Sequence, residues 1–166
     1  VNHAIKVLFV CLGNICRSPT AEGVFQQMLE NAGLADAVKV DSCGTADWHT
    51  GKSPDERTIA AAAKRGVALE HLQARQFRAE DLTEFDFVLA MDRSNLDILH
   101  GAWSSAGGTE PELFLNYAPR QALEEVPDPY YGGEEGFEHV LDLIEDAGLG
   151  LLQAVRQKLE VTGACG

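Results

Sequence analysis

The feature that most restricts how this chain can fold is a junction. The apolar run Ile5-Lys6-Val7-Leu8-Phe9-Val10 reads as a buried strand and gives way at once to Cys11-Leu12-Gly13-Asn14-Ile15-Cys16-Arg17-Ser18. The next residues, Pro19-Thr20-Ala21-Glu22-Gly23-Val24-Phe25, read as a helix opening. A thiol therefore stands where a strand ends, and a guanidinium where a helix begins. Gly13 and Asn14 both tolerate positive φ, so the loop between can curl with its backbone N–H groups pointing inward. The helix N-terminus adds partial positive charge, and the whole makes a cradle for an anion the size of phosphate.

Each part of that cradle has a use. A helix N-terminus and a neighbouring guanidinium favour the thiolate form of a cysteine, and a thiolate attacks phosphorus. The planar fork of Arg17 suits two oxygens of a transferring phosphoryl group, and the loop amides suit the rest. Ser18 is placed to donate to the thiolate and ease its later departure. Taken singly, Cys11 is a small buried hydrophobe and Arg17 a surface charge. The spacing Cys-x-x-x-x-x-Arg-Ser at a strand-to-helix junction favours chemistry over both.

Far downstream, Val126-Pro127-Asp128-Pro129-Tyr130-Tyr131-Gly132-Gly133 is a loop stiffened by two prolines flanking an acid. The thiol loop with Pro19, together with Asp128-Pro129-Tyr130-Tyr131-Gly132, resembles the low-molecular-weight protein tyrosine phosphatases over about residues 4–159. The resemblance implies hydrolysis of phosphotyrosine in proteins through a cysteinyl-phosphate intermediate, without metal or cofactor. Cys11 is then the nucleophile. Leu12, Gly13, Asn14, Ile15, Cys16 and Ser18 form the phosphate loop with Arg17, and Asp128 is the general acid and base. Tyr130 and Tyr131 wall the cleft with Trp48, which otherwise reads as a partly buried loop anchor. His71 matches a family histidine that buttresses the loop with Asp92 as its partner, at the expense of one inserted residue near Gln73; the alternative is a solvated loop histidine. The implied partners are a phosphotyrosine-containing protein and, opposing it, a tyrosine kinase.

Composition narrows the field further. The chain has 166 residues, enough for one domain with a proper core, and 13 basic against 26 acidic residues give a formal net charge of -13. That balance argues against nucleic acid, whose backbone needs a basic face. The four cysteines, Cys11, Cys16, Cys43 and Cys165, show neither a secreted disulfide framework nor zinc spacing. The first apolar run is short, is interrupted by Lys6 and lacks a basic leader, so neither a signal peptide nor membrane insertion is expected, and the location expected is cytoplasmic.

Along the rest of the chain, residues 18–32 carry a helical stripe of Ala21, Val24, Phe25, Met28 and Ala32. Val38 to Ser42 alternate as a second strand whose loop brings Ser42 and Trp48 toward Cys11. Ser53, Pro54 and Glu56 read as a helix start with a capping box. Residues 85–91 read as a third strand, Asp92 as the cap of the next helix, residues 101–110 as a mobile Gly- and Ser-rich stretch, and residues 112–115 as a fourth strand. Phe137, Val140, Leu141, Ile144, Gly148, Leu151, Leu152, Val155 and Leu159 mark a long last helix, with Gly148 permitting a close backbone approach and residues 161–166 a disordered tail. The expected fold is α/β, a four-stranded parallel sheet flanked by helices in a flavodoxin-like three-layer α/β/α winding, forming a single phosphatase domain over residues 1–166.

Rival functions share the scaffold. Arsenate reduction needs further cysteines to relay a disulfide, and Cys43 and Cys165 are poorly placed for that. A phosphoarginine-directed branch carries Thr where this chain has Ile15. A non-catalytic phosphate-binding module has no need of Asp128. Cys16 reads either as packing beneath the loop or as a redox partner that traps an oxidised Cys11 as a disulfide.

Overall fold

The computed structural model describes residues 4–120 and 123–162. The opening junction forms as its residues require: β1 (Ile5–Cys11) ends on the thiol, and α1 (Arg17–Asn31) starts on the arginine. There follow β2 (Val38–Gly44), α2 (Glu56–Ala63), a single turn α3 (Asp81–Glu84), β3 (Phe87–Ala90), α4 (Arg93–Ala106), β4 (Glu112–Leu113) and α5 (Glu134–Thr162). The sheet has four strands in the order β2-β1-β3-β4, all parallel.

Alternation along β1 divides the core. Ile5, Val7, Phe9 and Cys11 face α1, α2 and α5, and Phe9 meets the rings of Phe25 and Phe114 edge-on at centroid distances of 6.0 and 4.9 Å. Leu8 and Val10 face the other way, onto Leu82 of α3 and Leu96 and Leu99 of α4. A strand buried on both faces explains why the first run is almost continuously apolar. The crossover from β1 leads to β2 on one side, and the next, from β2, passes over β1 to β3 on its other side, which makes the carboxyl ends of β1 and β3 a topological switch point. Register sets the level of that edge: Cys11 lies beside Gly44, and Val10 beside Ala90.

Several elements differ from the sequence reading, each for a physical reason. The fourth strand stops at Leu113, and residues Phe114–Tyr117 form a 3-10 turn. A strand would send one of two successive side chains outward, whereas the turn lets both Phe114 and Leu115 enter the core. Residues 101–106, expected to be mobile, continue α4, because Leu96, Leu99, Ala102 and Trp103 extend its apolar stripe. The cap of α2 is Asp55 rather than Ser53, its carboxylate accepting from the Arg57 N–H at 2.8 Å. Val161 and Thr162 belong to α5; residues 163–166, with Cys165, lie outside the described residues. Among the described residues no helix is long and apolar enough to cross a membrane.

The close approach on α5 occurs at Gly150, not Gly148. A Cβ on Gly148 would meet the flexible Met28 thioether, with Sδ at 2.9 Å, whereas on Gly150 it would lie 1.8 Å from the Tyr117 carbonyl oxygen. Alanine would raise helix propensity by about 1 kcal/mol, but the backbone clash is expected to cost more, about 1–3 kcal/mol. Gly150→Ala is therefore expected to lower the urea midpoint, read by circular dichroism.

Candidate active site

The phosphate loop is organised by Asn14, the one non-glycine with positive φ among the described residues, at 57°. Its own N–H points back to Cys11 Sγ at 3.3 Å, so the loop closes on the sulfur. The carboxamide reaches outward in three directions. Nδ2 donates to Ser18 Oγ at 2.8 Å and to Ser42 Oγ at 2.9 Å, and Oδ1 accepts from the Arg75 N–H at 3.0 Å. Ser18 Oγ lies 2.9 Å from Cys11 Sγ. The segment just after β2 supports the loop from the side: the Thr45 and Ala46 N–H groups donate to the carbonyls of Cys11 and Leu12 at 2.9 and 3.0 Å. The approach is close enough that a Cβ on Gly44 would sit 2.7 Å from the Leu12 carbonyl oxygen, so glycine is required there.

α1 begins at Arg17 with no side-chain cap, leaving its terminal N–H groups to an anion in the loop. The Arg17 side chain is 3% exposed. Its Nη1 donates to Asp92 Oδ2 at 2.6 Å and to the Val126 carbonyl at 3.0 Å, while Nη2 faces Asp128 Oδ2 at 3.8 Å. Burial disfavours the charge, but Cys11, Asp92 and Asp128 outweigh it and raise the Arg17 pKa above its ordinary value. Asp92 also caps α4, accepting from the Asn95 N–H at 2.8 Å, and so joins the end of β3 to the guanidinium.

A cleft of about 160 Å³ opens above the loop, lined by Cys11, Leu12, Gly13, Ile15, Arg17 and Asp128 among others. Trp48 and Tyr131 stand at its mouth, 67% and 94% exposed, and Tyr130 lies beside them with its ring 5.0 Å from that of Tyr131. Trp48 is thus a wall rather than a buried anchor. Asp128 accepts from the Tyr130 N–H at 3.0 Å. Cys16 lies buried at the end of the loop, where burial pushes its thiol up to about 12. Cys43 is fully buried inside β2, with its thiol raised well above the ordinary range by burial.

One expected residue is not brought to the site. His71 is exposed and borders a groove with Gln26, Gln27 and Leu72. The loop is buttressed instead through the Arg75 backbone N–H, and the partner of Asp92 is Arg17. Sequence reasoning also missed His49, which lines the cleft beside Gly13, and its signal was adjacency to Trp48. The role of Arg75 had no signal at all, since it acts there through an N–H that every residue but proline carries.

Residues 6–161 match the family model for low molecular weight phosphotyrosine protein phosphatases. The chain belongs to this family. A low molecular weight protein-tyrosine-phosphatase of Streptomyces coelicolor is 45% identical over 158 residues, covering 93% of this chain and 96% of the relative. A low molecular weight phosphotyrosine protein phosphatase of Schizosaccharomyces pombe is 47% identical over 134 residues, covering 80% and 85%. The crystal structure of YfkJ from Bacillus subtilis superposes with a TM-score of 0.88 at 37% identity, covering 95% of this chain and 98% of that one.

Behind the loop of this phosphatase, Ser42 Oγ donates to Glu22 Oε1 at 2.7 Å, extending the chain of bonds from Asn14. Burial raises the Glu22 carboxyl from 4.5 to about 7, with Asp41 adding and Ser42 and Arg75 opposing. A raised carboxyl pKa means that the folded state holds a proton the unfolded chain has released. This group's contribution is therefore most favourable below about pH 4.5 and declines as pH rises to about 7. Glu22→Gln keeps an acceptor for Ser42 and removes the titration. Discounted for partial exposure, the drop in Tm between pH 5 and 7.5 is expected to shrink by about 3 °C, equivalent to ~1 kcal/mol in a chain of this size. Differential scanning calorimetry at the two pH values checks it.

Proposed function

We propose that the chain hydrolyses phosphotyrosine in proteins in two steps at Cys11. The observation that carries this reading is the convergence of Cys11 and Arg17, at the two ends of one loop, with Asp128, more than a hundred positions away, on one cleft walled by aromatic rings. In the first step the Cys11 thiolate forms a sulfur–phosphorus bond while the bond to the tyrosyl oxygen breaks, and Asp128 gives that oxygen its proton. In the second, Asp128 takes a proton from water as the water attacks phosphorus, and the sulfur leaves as a thiolate steadied by the Ser18 hydroxyl 2.9 Å away. Nη1 of Arg17 is anchored on Asp92 and Val126, which leaves the Nε and Nη2 edge for two equatorial oxygens. Trp48, Tyr130 and Tyr131 receive the phenyl ring, which favours an aromatic phosphomonoester over an arginyl one. Cys43, fully buried, is unsuited to a disulfide relay, which disfavours arsenate reduction.

The test is turnover of phosphotyrosine, phosphoserine and phosphoarginine peptides by the purified protein, side by side. Cys11→Ser is expected to lose all measurable turnover while still binding a phosphate analogue. Asp128→Asn is expected to lose about 10²–10³-fold in kcat/KM on phosphotyrosine, within the range of general acid catalysis, and far less on an aryl phosphate with a good leaving group. Retained turnover in Cys11→Ser overturns the mechanism, and equal losses in Asp128→Asn overturn the role of the acid.

The same reading makes Cys16 a resolving thiol. Cys11, Cys16 and Cys43 are all free thiols, in keeping with a reducing cytoplasm and with a tyrosine kinase there as the opposing activity. Peroxide takes Cys11 to the sulfenic acid, and attack by Cys16 expels water and stores the pair as a disulfide that cellular thiols reopen. After peroxide and then reductant, wild type is expected to regain most of its activity and Cys16→Ser less than about half, because an unprotected sulfenic acid goes on to irreversible forms. Equal recovery makes Cys16 packing only.

A further inference from the structure

The loop that carries Asp128 is fastened on two sides. On the side toward the sheet, the Val126 N–H donates to the Met91 carbonyl at 2.8 Å, and Arg17 donates to the Val126 carbonyl. On the far side of Asp128, toward Tyr131, the fastening is Arg57, in the first turn of α2. Its Nη2 donates to the Tyr130 carbonyl at 2.9 Å, only two residues past Asp128. Its Nε and Nη2 also grip both oxygens of Asp55, each at 3.1 Å, and the Asp55 N–H donates to the Ile15 carbonyl of the phosphate loop at 2.8 Å. The guanidinium is stacked as well, with Cζ 5.5 Å from the Tyr130 ring centroid and 4.9 Å from that of Phe137. An unbroken path of bonds thus runs from the loop that holds phosphorus, through Asp55 and Arg57, to the loop that holds the acid.

We propose that Arg57 is a positioning residue that fixes the height of Asp128 above Cys11, a role that rests on Asp128 being the general acid. Proton transfer in the transition state depends steeply on the distance between donor and leaving oxygen, and small displacements cost large factors in rate. Arg57 is about half exposed, and an exposed ion pair of this kind adds little to folding. Its effect on rate therefore exceeds its effect on stability. The planar fork matters: it meets a carboxylate and a carbonyl at once while its Cζ stands over the rings of Tyr130 and Phe137, which an ammonium does only in part.

The experiment compares kcat/KM for p-nitrophenyl phosphate, whose phenolate leaves readily, with that for phenyl phosphate, whose phenolate needs its proton. Arg57→Met is expected to lose about tenfold on phenyl phosphate and less than about twofold on p-nitrophenyl phosphate, with Arg57→Lys intermediate on the first. In an Asp128→Asn background the same Arg57→Met change is expected to alter either rate by less than about twofold, since the group it positions is gone. A merely structural contribution would instead lower both substrates in both backgrounds, and that outcome overturns the proposal. If Asp128→Asn itself loses equally on the two substrates, the general-acid reading falls and this proposal with it. If Asp128→Asn discriminates between them and Arg57→Met does not, this proposal falls alone.

Discussion

The geometry of the phosphate loop depends on Asn14 holding a left-handed backbone while its carboxamide is fully bonded. Left-handed φ costs a side-chain-bearing residue about 1–2 kcal/mol. Glycine would remove that cost, yet it would also remove three bonds made in a site where Asn14 is 2% exposed. Buried hydrogen bonds are each worth about 1 kcal/mol, and the Arg75 N–H, left without its acceptor, would cost more, while Ser18 and Ser42 would keep their bonds to Cys11 and Glu22. The balance favours asparagine. Strain at that position is thus the means by which the loop is kept open around an anion.

The sequence shows plainly whatever is encoded by residue type at fixed spacing. The strand ending on Cys11, the helix starting at Arg17, the cap at Asp92 and the long stripe of α5 are all of this kind. The features it hides depend on backbone groups or on register between distant segments. Arg75 serves the loop through its N–H, and His71, which a motif match places at the loop, is exposed away from it. Arg57 carries no signal of its own in the sequence, because its carbonyl partner at Tyr130 lies 73 residues away. Residues 114–115 differ from the strand reading for another reason: an apolar run is compatible with a strand or a turn until it is known that its successive side chains enter the same core.

A chain with a net charge of -13 that binds a dianion needs a local solution, and here the solution lies inside the protein. Arg17 is buried against Asp92, at the edge of the sheet, where solvent screens it little. The loop amides contribute partial charges that no change of pH removes. Long-range repulsion from the acidic surface extends over about 8 Å at physiological ionic strength, so it opposes approach more than it opposes the docked state.

The bonds that shape the loop come from residues 14, 18, 42, 75, 92 and 126, so they connect segments more than a hundred positions apart. Contacts between distant segments form late, because the entropy of closing long loops is lost before they return any stabilisation. Helices and hydrophobic collapse can be far advanced in a refolding chain while its anion cradle is still missing. Recovery of enzymatic turnover therefore marks the completion of the native structure in this molecule, and a partly folded chain with its thiol already near the helix has no working means of using it.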